Sequence, residues 1–446
     1  MDLLVRGGTV LSMEDGAPPK RADVLVRRGR VVAVGRATGS APARILDASG
    51  AAVLPGFVQC HIHLCQTLAR GQADDLALLP WLRDRIWPYE AALDAKSLRA
   101  SARLGLAELV RGGTTAILDM GTVRHHDVVF EAIEESGIRA ASGKAMMDAP
   151  TVPEGLRERT DASLAESERL RARWDGAAGG RIRYAFAPRF SLSCTERLLR
   201  SVAELAVSTG TLVHTHAAEN PDERALVRAE RGADDVAYLA SLGIAGPHVF
   251  LAHGVQLSDE EIEAVAESGT RLVHCPSSNL KLGSGIARVA AWAKAGVAPV
   301  LGADGAPCNN RLDPFREMFL AAALSAATAG PGTWTAADVL RAATRGGAEA
   351  LGLDAGVIAP GRAADLVVVD LETLHATPGG DVASRIVYSA GPEDVRHVVC
   401  AGEVLVQDGR HVRVDAREIL RDASARGGRP RARARARARR RARGAG

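Results

Sequence analysis

The chain has 446 residues, 47% of them hydrophobic and 4% aromatic, with 46 glycines; it is too long for one small core and fits a large α/β barrel with a smaller domain. Its six cysteines (Cys60, Cys65, Cys194, Cys275, Cys308 and Cys400) form no CxxC pair, and no apolar run is long enough to cross a bilayer, which speaks against a disulfide scaffold and an integral membrane protein. The net charge of +3 comes from one end, because eleven Arg and one Asp lie between Arg421 and Gly446; removing that +10 leaves −7 on the rest, not the basic body of a nucleic-acid binder.

The first residues, MDLLVRGGTV, have neither the charged start nor the long apolar run of a signal peptide, so a soluble, cytoplasmic protein is expected. Residues 1–55 read as short Val/Leu-rich strands punctuated by glycine, and the same pattern returns over 357–420 in DLVVVD, VRHVVCAGEVLVQDG and RHVRV. The two ends are expected to pair into one small β-sandwich domain. Between them, over 56–356, apolar strand-like runs alternate with amphipathic helical ones. The strand candidates are 57–63, 114–120, 138–146, 182–188, 211–216, 248–253, 270–276 and 298–305. Eight such units predict an α/β fold, a (β/α)8 TIM barrel, although a doubly wound sheet alternates in the same way. Residues 421–446, low in apolar side chains and rich in Arg, read as a disordered tail. At most it makes non-specific contacts with nucleic acid or acidic surfaces.

His61 and His63 stand two apart at the end of the first barrel strand, a spacing that sends both imidazoles to one side. An HxH alone carries little weight. Strand five, however, ends at His216 with Glu219 just beyond, strand six at His253, and strand eight at Asp304. All fall at the C-terminal ends of strands, where barrel active sites are built. Three histidines and one aspartate suit Zn²⁺ with a coordination position left for water, whose pKa the metal lowers to about 7. His214 faces the same side of its strand as His216. His274 reads equally as a substrate contact or a structural hydrogen-bonding residue. His125 and His126 read as exposed loop residues.

PGFVQCHIHLCQTLARG, THAAE, LAHG, HCPSSNLKLGSG and LGADGAPCNN resemble the signatures of the cytosine deaminase-like branch of the amidohydrolase superfamily. Within it the chain most resembles the 5′-deoxyadenosine, methylthioadenosine and S-adenosylhomocysteine deaminases, over about residues 1–420. The s-triazine hydrolases and guanine deaminases belong to the same branch. The resemblance implies an aminohydrolase acting on C–N bonds other than peptide bonds in cyclic amidines, which deaminates its substrate hydrolytically and releases ammonia. It implies one divalent metal per subunit, Zn²⁺ or alternatively Fe²⁺, on His61, His63, His216 and Asp304; the HxxE pair of the family gives the ligand role to His216 and leaves His214 as its supporting or packed neighbour. Glu219 matches the acid/base that moves a proton to a ring nitrogen, His253 the residue that steers the attacking water, and Asp304 the group that accepts its proton. Strand four, IRYAFAP, lacks the lysine that bridges two metals in other members, so a single metal is expected.

The long loop after His63 carries Trp81 and Trp87, flat surfaces for a heterocycle. Glu90 resembles the ribose-binding carboxylate of the adenosine-type deaminases, and one carboxylate can accept both vicinal hydroxyls. Lys144 stands where the S-adenosylhomocysteine deaminases carry Arg; a lysine loses the bidentate fork, which favours a 5′-deoxy or 5′-methylthio nucleoside. Arg189, in PRFSLSCT, resembles the guanine deaminases and keeps guanine open, with an s-triazine as a third substrate class. A non-catalytic, amidohydrolase-like interaction protein is the rival of another kind, and the complete set of ligands opposes it. The expected partner is a purine nucleoside or related heterocycle, with no membrane; the resemblance also implies a homo-oligomer.

Overall fold

The computed structural model describes residues 2–36, 44–428 and 430. Eight parallel strands form the barrel: Phe57–Ile62, Thr114–Met120, Arg139–Gly143, Ile182–Pro188, Leu212–Ala217, Val249–His253, Arg271–His274 and Val300–Leu301. The third is prolonged by Ala145–Met146, which also pairs with the fourth. A parallel bridge between Ile62 and Asp304 joins the last strand segment to the first, so the sheet closes. The eighth strand is far shorter than the apolar pattern predicts: beyond Leu301 pairing continues as single bonds, Gly302 N–H to the His274 carbonyl and Asp304 N–H to the His61 carbonyl, and Asp304 turns into the left-handed region.

Every barrel strand contributes to one buried cluster, from Val58 and Leu118 through Ala185 and Phe250 to Val273 and Val300. Most of these side chains are small, as a narrow parallel barrel requires. Helices surround it. The helix Glu196–Thr209 shows why they form: Thr195 caps its first turn, Gly210 ends it in the left-handed region, and Leu198, Leu199, Val202, Ala203 and Ala206 are buried on one face. Each large aliphatic side chain buried this way contributes roughly 1.5–3 kcal/mol relative to exposure.

The two chain ends form a nine-stranded mixed sheet. Ala51–Pro55, from the N-terminal part, pairs antiparallel with Leu366–Asp370 from the C-terminal part. Alternation along these strands separates two faces. Val53, Leu366 and Val368 join the sheet's own core, whereas Leu54, Val367 and Val369 join the large core shared with the barrel. The sheet is thereby fixed to the barrel through a buried face.

The first residues expected in the tail are helical. Residues 421–426 belong to the helix Ala416–Arg426, capped by the Asp415 side chain and burying Ile419 and Ala423. Glu418 of this helix pairs with Arg103 at 2.9 Å. An apolar pair at i and i+4 anchors the helix, a signal the surrounding arginines mask in composition. Residues 429 and 431–446, most of the Arg-rich segment, lie outside the described residues. Among the described residues, no helix is long and apolar enough to cross a membrane.

Candidate active site at the barrel mouth

The first strand does not run straight into the site. Its pairing with the second advances three residues, Gln59 to Ile62, while the partner advances two, Ile117 to Asp119. This bulge re-aims the end of the strand, and it delivers His61 and His63 edge to face, 4.8 Å apart. His253 and Asp304 enter through strained backbone: both are non-glycine residues in the left-handed region, with φ of 78° and 60°. Such conformations cost roughly 1–3 kcal/mol each and persist where surrounding structure enforces them.

Hydrogen bonding fixes the imidazoles. His63 donates through Nδ1 to the Met120 carbonyl at 2.8 Å, and His216 through Nδ1 to the Arg189 carbonyl at 2.7 Å. In the neutral rings both Nε2 atoms are therefore lone pairs, yet they face each other at 3.2 Å. Two lone pairs repel at that distance, and a cation relieves the repulsion. His61 Nδ1 meets His214 Nε2 at 2.7 Å, while His61 Nε2 is buried without a hydrogen-bond partner, 3.3 Å from Asp304 Oδ1. His63 Nε2 is 3.4 Å from the same oxygen. The ligand atoms of His61, His63 and Asp304 lie within 4.8 Å of one another, as do those of His61, His216 and His253.

The charge states suit a cation. Burial lowers His61, His214, His216 and His253 and holds His63 at about 3, so the rings are neutral near pH 7. Burial pushes the Asp304 carboxyl up, but His61 beside it and the other imidazoles outweigh this and keep it well below the ordinary carboxylate range. The Ser278 hydroxyl and the Gly305 N–H donate to Asp304 at 2.5 and 2.6 Å. Neutral imidazoles and an anionic carboxylate are the donor set that fits Zn²⁺, and Fe²⁺ tolerates the same set. The second nitrogen of each of His61, His63 and His216 is engaged, as metal-bound histidines require.

Glu219 stands beside this group. Its Oε2 is 3.5 Å from His253 Nε2, and its Oε1 is buried without a hydrogen-bond partner. Burial and the nearby Asp304 raise this carboxyl well above its ordinary range. His253 is oriented through Nδ1 by Asn279 Oδ1 at 2.9 Å. A narrow cavity of about 20 Å³ opens onto these groups, walled on its apolar side by Leu78, Trp81, Leu82, Phe190 and Leu282.

Several residues expected at the substrate are placed differently. Glu90 is not a free carboxylate: Arg189 Nη1 and Nη2 donate to it at 2.5 and 3.2 Å and Gln66 Nε2 at 2.9 Å. Arg189 borders this cavity, and Glu90 borders a second one of about 300 Å³ with Thr122, Arg124 and Leu156. Lys144 is buried away from the cavity, where its Nζ donates to Glu158 at 2.6 Å and Ser163 at 3.0 Å. Glu158 lies just ahead of the helix Thr160–Trp174, which packs on strand four and supplies the Ser163 hydroxyl. Trp81, not Trp87, lines the catalytic cavity; Trp87 packs between apolar clusters of the mouth loops. His274 packs against Trp292 and Trp334, with ring centroids at 6.1 and 6.4 Å, outside the cavity lining. His125 is exposed, but His126 is buried and meets Ser142 Oγ at 2.9 Å. That hydroxyl donates to Asp119 at 2.6 Å, and Asp119 accepts the Leu64 N–H at 2.8 Å, directly after His63. Sequence reasoning missed Asp119 and Gln66, whose partners lie far along the chain.

A closed parallel barrel that gathers four imidazoles and two carboxyls at the C-terminal ends of its strands has the build of a metal-dependent hydrolase. The chain belongs to the Amidohydrolase family, whose profile matches residues 52–405. It is 39% identical over 425 residues to a 5′-deoxyadenosine deaminase of Methanothermobacter thermautotrophicus, covering 95% of this chain and 97% of the relative. To a 5-methylthioadenosine/S-adenosylhomocysteine deaminase of Haloarcula marismortui it is 40% identical over 430 residues, with the same coverage of 95% and 97%. The crystal structure of an adenosine deaminase from Xanthomonas campestris with bound zinc superposes with a TM-score of 0.91 at 36% identity, covering 97% of this chain and 99% of that one. An atrazine chlorohydrolase from Arthrobacter aurescens complexed with zinc has a TM-score of 0.90 at 26% identity, covering 95% and 100%.

Proposed function

We propose that this chain is a metal-dependent aminohydrolase that deaminates an adenosine-type nucleoside, such as 5′-deoxyadenosine or methylthioadenosine, and releases ammonia. The observation that carries it is the pair of facing Nε2 lone pairs on His63 and His216 beside the unpartnered His61 Nε2 and the anionic Asp304. His61, His63, His216 and Asp304 would hold one divalent cation per chain, zinc first. The relatives named as adenosine-type deaminases support the substrate class.

When bound, the cation supplies Lewis-acid activation of a water near neutral pH. The rest is done by side chains. Glu219, whose burial favours its protonated form, delivers a proton from Oε1 to a ring nitrogen and takes one back from the new hydroxyl as the carbonyl forms. Asp304 accepts a proton through Oδ2, 4.0 Å from His253 Nε2, and returns it to the departing amine. His253, held by Asn279, orients the attack. Each positioned proton transfer contributes typically 10²–10⁴-fold. Leu78, Trp81, Leu82 and Phe190 exclude water around the heterocycle.

Because Glu90 is engaged by Arg189, the guanidinium is the better placed to meet a ring acceptor, and Glu90 with Gln66 orients it. On the far side of that pair Glu90 borders a second cavity, with Thr122, Arg124 and Leu156; the relatives named as adenosine-type deaminases favour a nucleoside over bare guanine or an s-triazine. Turnover of 5′-deoxyadenosine in ¹⁸O-labelled water by zinc-loaded protein tests the reaction type. One labelled oxygen on the purine per ammonia is expected; ammonia without label would overturn hydrolytic attack.

A further inference from the structure

Glu219 sits at an unusual joint. The preceding Ala218 is a non-glycine residue in the left-handed region, at φ 50°, and such a conformation lasts only where neighbours enforce it. From one side, Gln256 N–H donates to the Ala218 carbonyl at 2.8 Å and Gly254 N–H to the Ala217 carbonyl at 3.1 Å, tying the joint to the segment after His253. From the other side comes Glu223. It is buried, and it occupies the third position of the helix Pro221–Arg231 in a capping box with Asn220. A capping box needs the glutamate to accept the N–H of the cap residue. Here that bond, to Asn220 N, is 3.4 Å long, and the shorter bond, 3.0 Å, runs one residue upstream to Glu219 N. The next residue, Arg224, donates to the Gln256 carbonyl and pairs with the buried Glu261 at 2.7 Å. The helix start thus holds both segments that flank the reacting groups.

We propose that Glu223 is a positioning residue for Glu219, fixing the backbone N–H of Glu219 so that its unpartnered Oε1 stays aimed into the cavity. The inference rests on Glu219 being the proton carrier. It needs the acceptor oxygen of Glu223 and not its charge, so an amide in its place is sufficient.

Three variants test it: Glu223→Ala, Glu223→Gln and Glu223→Asp, the last one methylene too short to reach. Two readouts are compared, amide hydrogen exchange at residues 219–220 and steady-state kinetics of the zinc-loaded enzyme on 5′-deoxyadenosine. In Glu223→Ala, exchange at 219–220 rises at least tenfold and kcat falls at least tenfold, with KM and zinc content within twofold. Glu223→Gln restores both to within about threefold. Unchanged exchange in the alanine variant, a loss carried by KM or zinc content, or a glutamine variant as poor as alanine would each overturn the proposal. If the alanine variant does not fold, the aspartate and glutamine variants make the same comparison. Should the unmutated enzyme release no ammonia, the deaminase reading fails, while the exchange measurement still decides the role of Glu223.

Discussion

The ion pair between Arg189 and Glu90 is buried on both sides, with side-chain exposures of 3% and 0%, and is bidentate. Replacing Arg189 with Met removes the cation and leaves a buried carboxylate with Gln66 as its neighbouring donor. Breaking such a pair from one side costs about 3–5 kcal/mol. A chain of 446 residues has an unfolding entropy near 0.9 kcal/mol/K at about 2.1 cal/mol/K per residue, so the apparent Tm should drop by roughly 3–5 °C. Glu90→Gln added to Arg189→Met removes the stranded charge, and the double variant should recover to within about 2 °C of the unmutated protein. Scanning calorimetry of the two singles and the double, at one scan rate and equal zinc content, measures this. A single variant melting within 1 °C of the unmutated protein, or a double variant at the sum of the singles, would refute the reasoning.

Glu219→Gln should keep its zinc and lose about 10²–10⁴-fold in kcat, checked by metal analysis beside an ammonia assay. His216→Ala should lose metal, and undiminished zinc content would pass the ligand role to His214, whose Nε2 already meets His61. Lys144→Met should lower the apparent Tm, because it strands Glu158, while KM stays within twofold; a raised KM would return Lys144 to the substrate. Burial raises Asp119 from an ordinary 3.8 to about 7. The unfolded chain therefore releases this proton first, so the contribution to stability is greatest below pH 4 and declines as pH rises towards 7. Asp119→Asn, which keeps an acceptor for Leu64 N, should flatten that decline in urea midpoints between pH 4 and 7; an unaltered slope would assign it to other groups.

The parts of this fold that were legible in the sequence are those set by local periodicity. The second and fourth barrel strands coincide with their apolar runs, and the HxH, the HxxE and the aspartate of GADG converge because strand ends in a barrel share one mouth. What stayed hidden depends on contacts between distant segments. Arg189 and Glu90 are 99 positions apart, and neither residue type announces its partner. Lys144 and Glu158 are separated by a turn and a loop, so the neutralising contact behind strand three has no signature. The bulge before His61 and the left-handed backbone at His253 and Asp304 involve no glycine, and local sequence carries no mark of them. His126 is buried with its Nε2 on Ser142 Oγ, which in turn donates to Asp119, a chain that only the barrel brings together.

The most direct test of the central claim is ammonia release by protein of measured zinc content from 5′-deoxyadenosine, methylthioadenosine, S-adenosylhomocysteine, adenosine, guanine and an aminated s-triazine, compared as kcat/KM. The account predicts that the adenosine-type nucleosides exceed guanine and the s-triazine; preference for guanine, or silence across the panel from zinc-loaded protein, would contradict it.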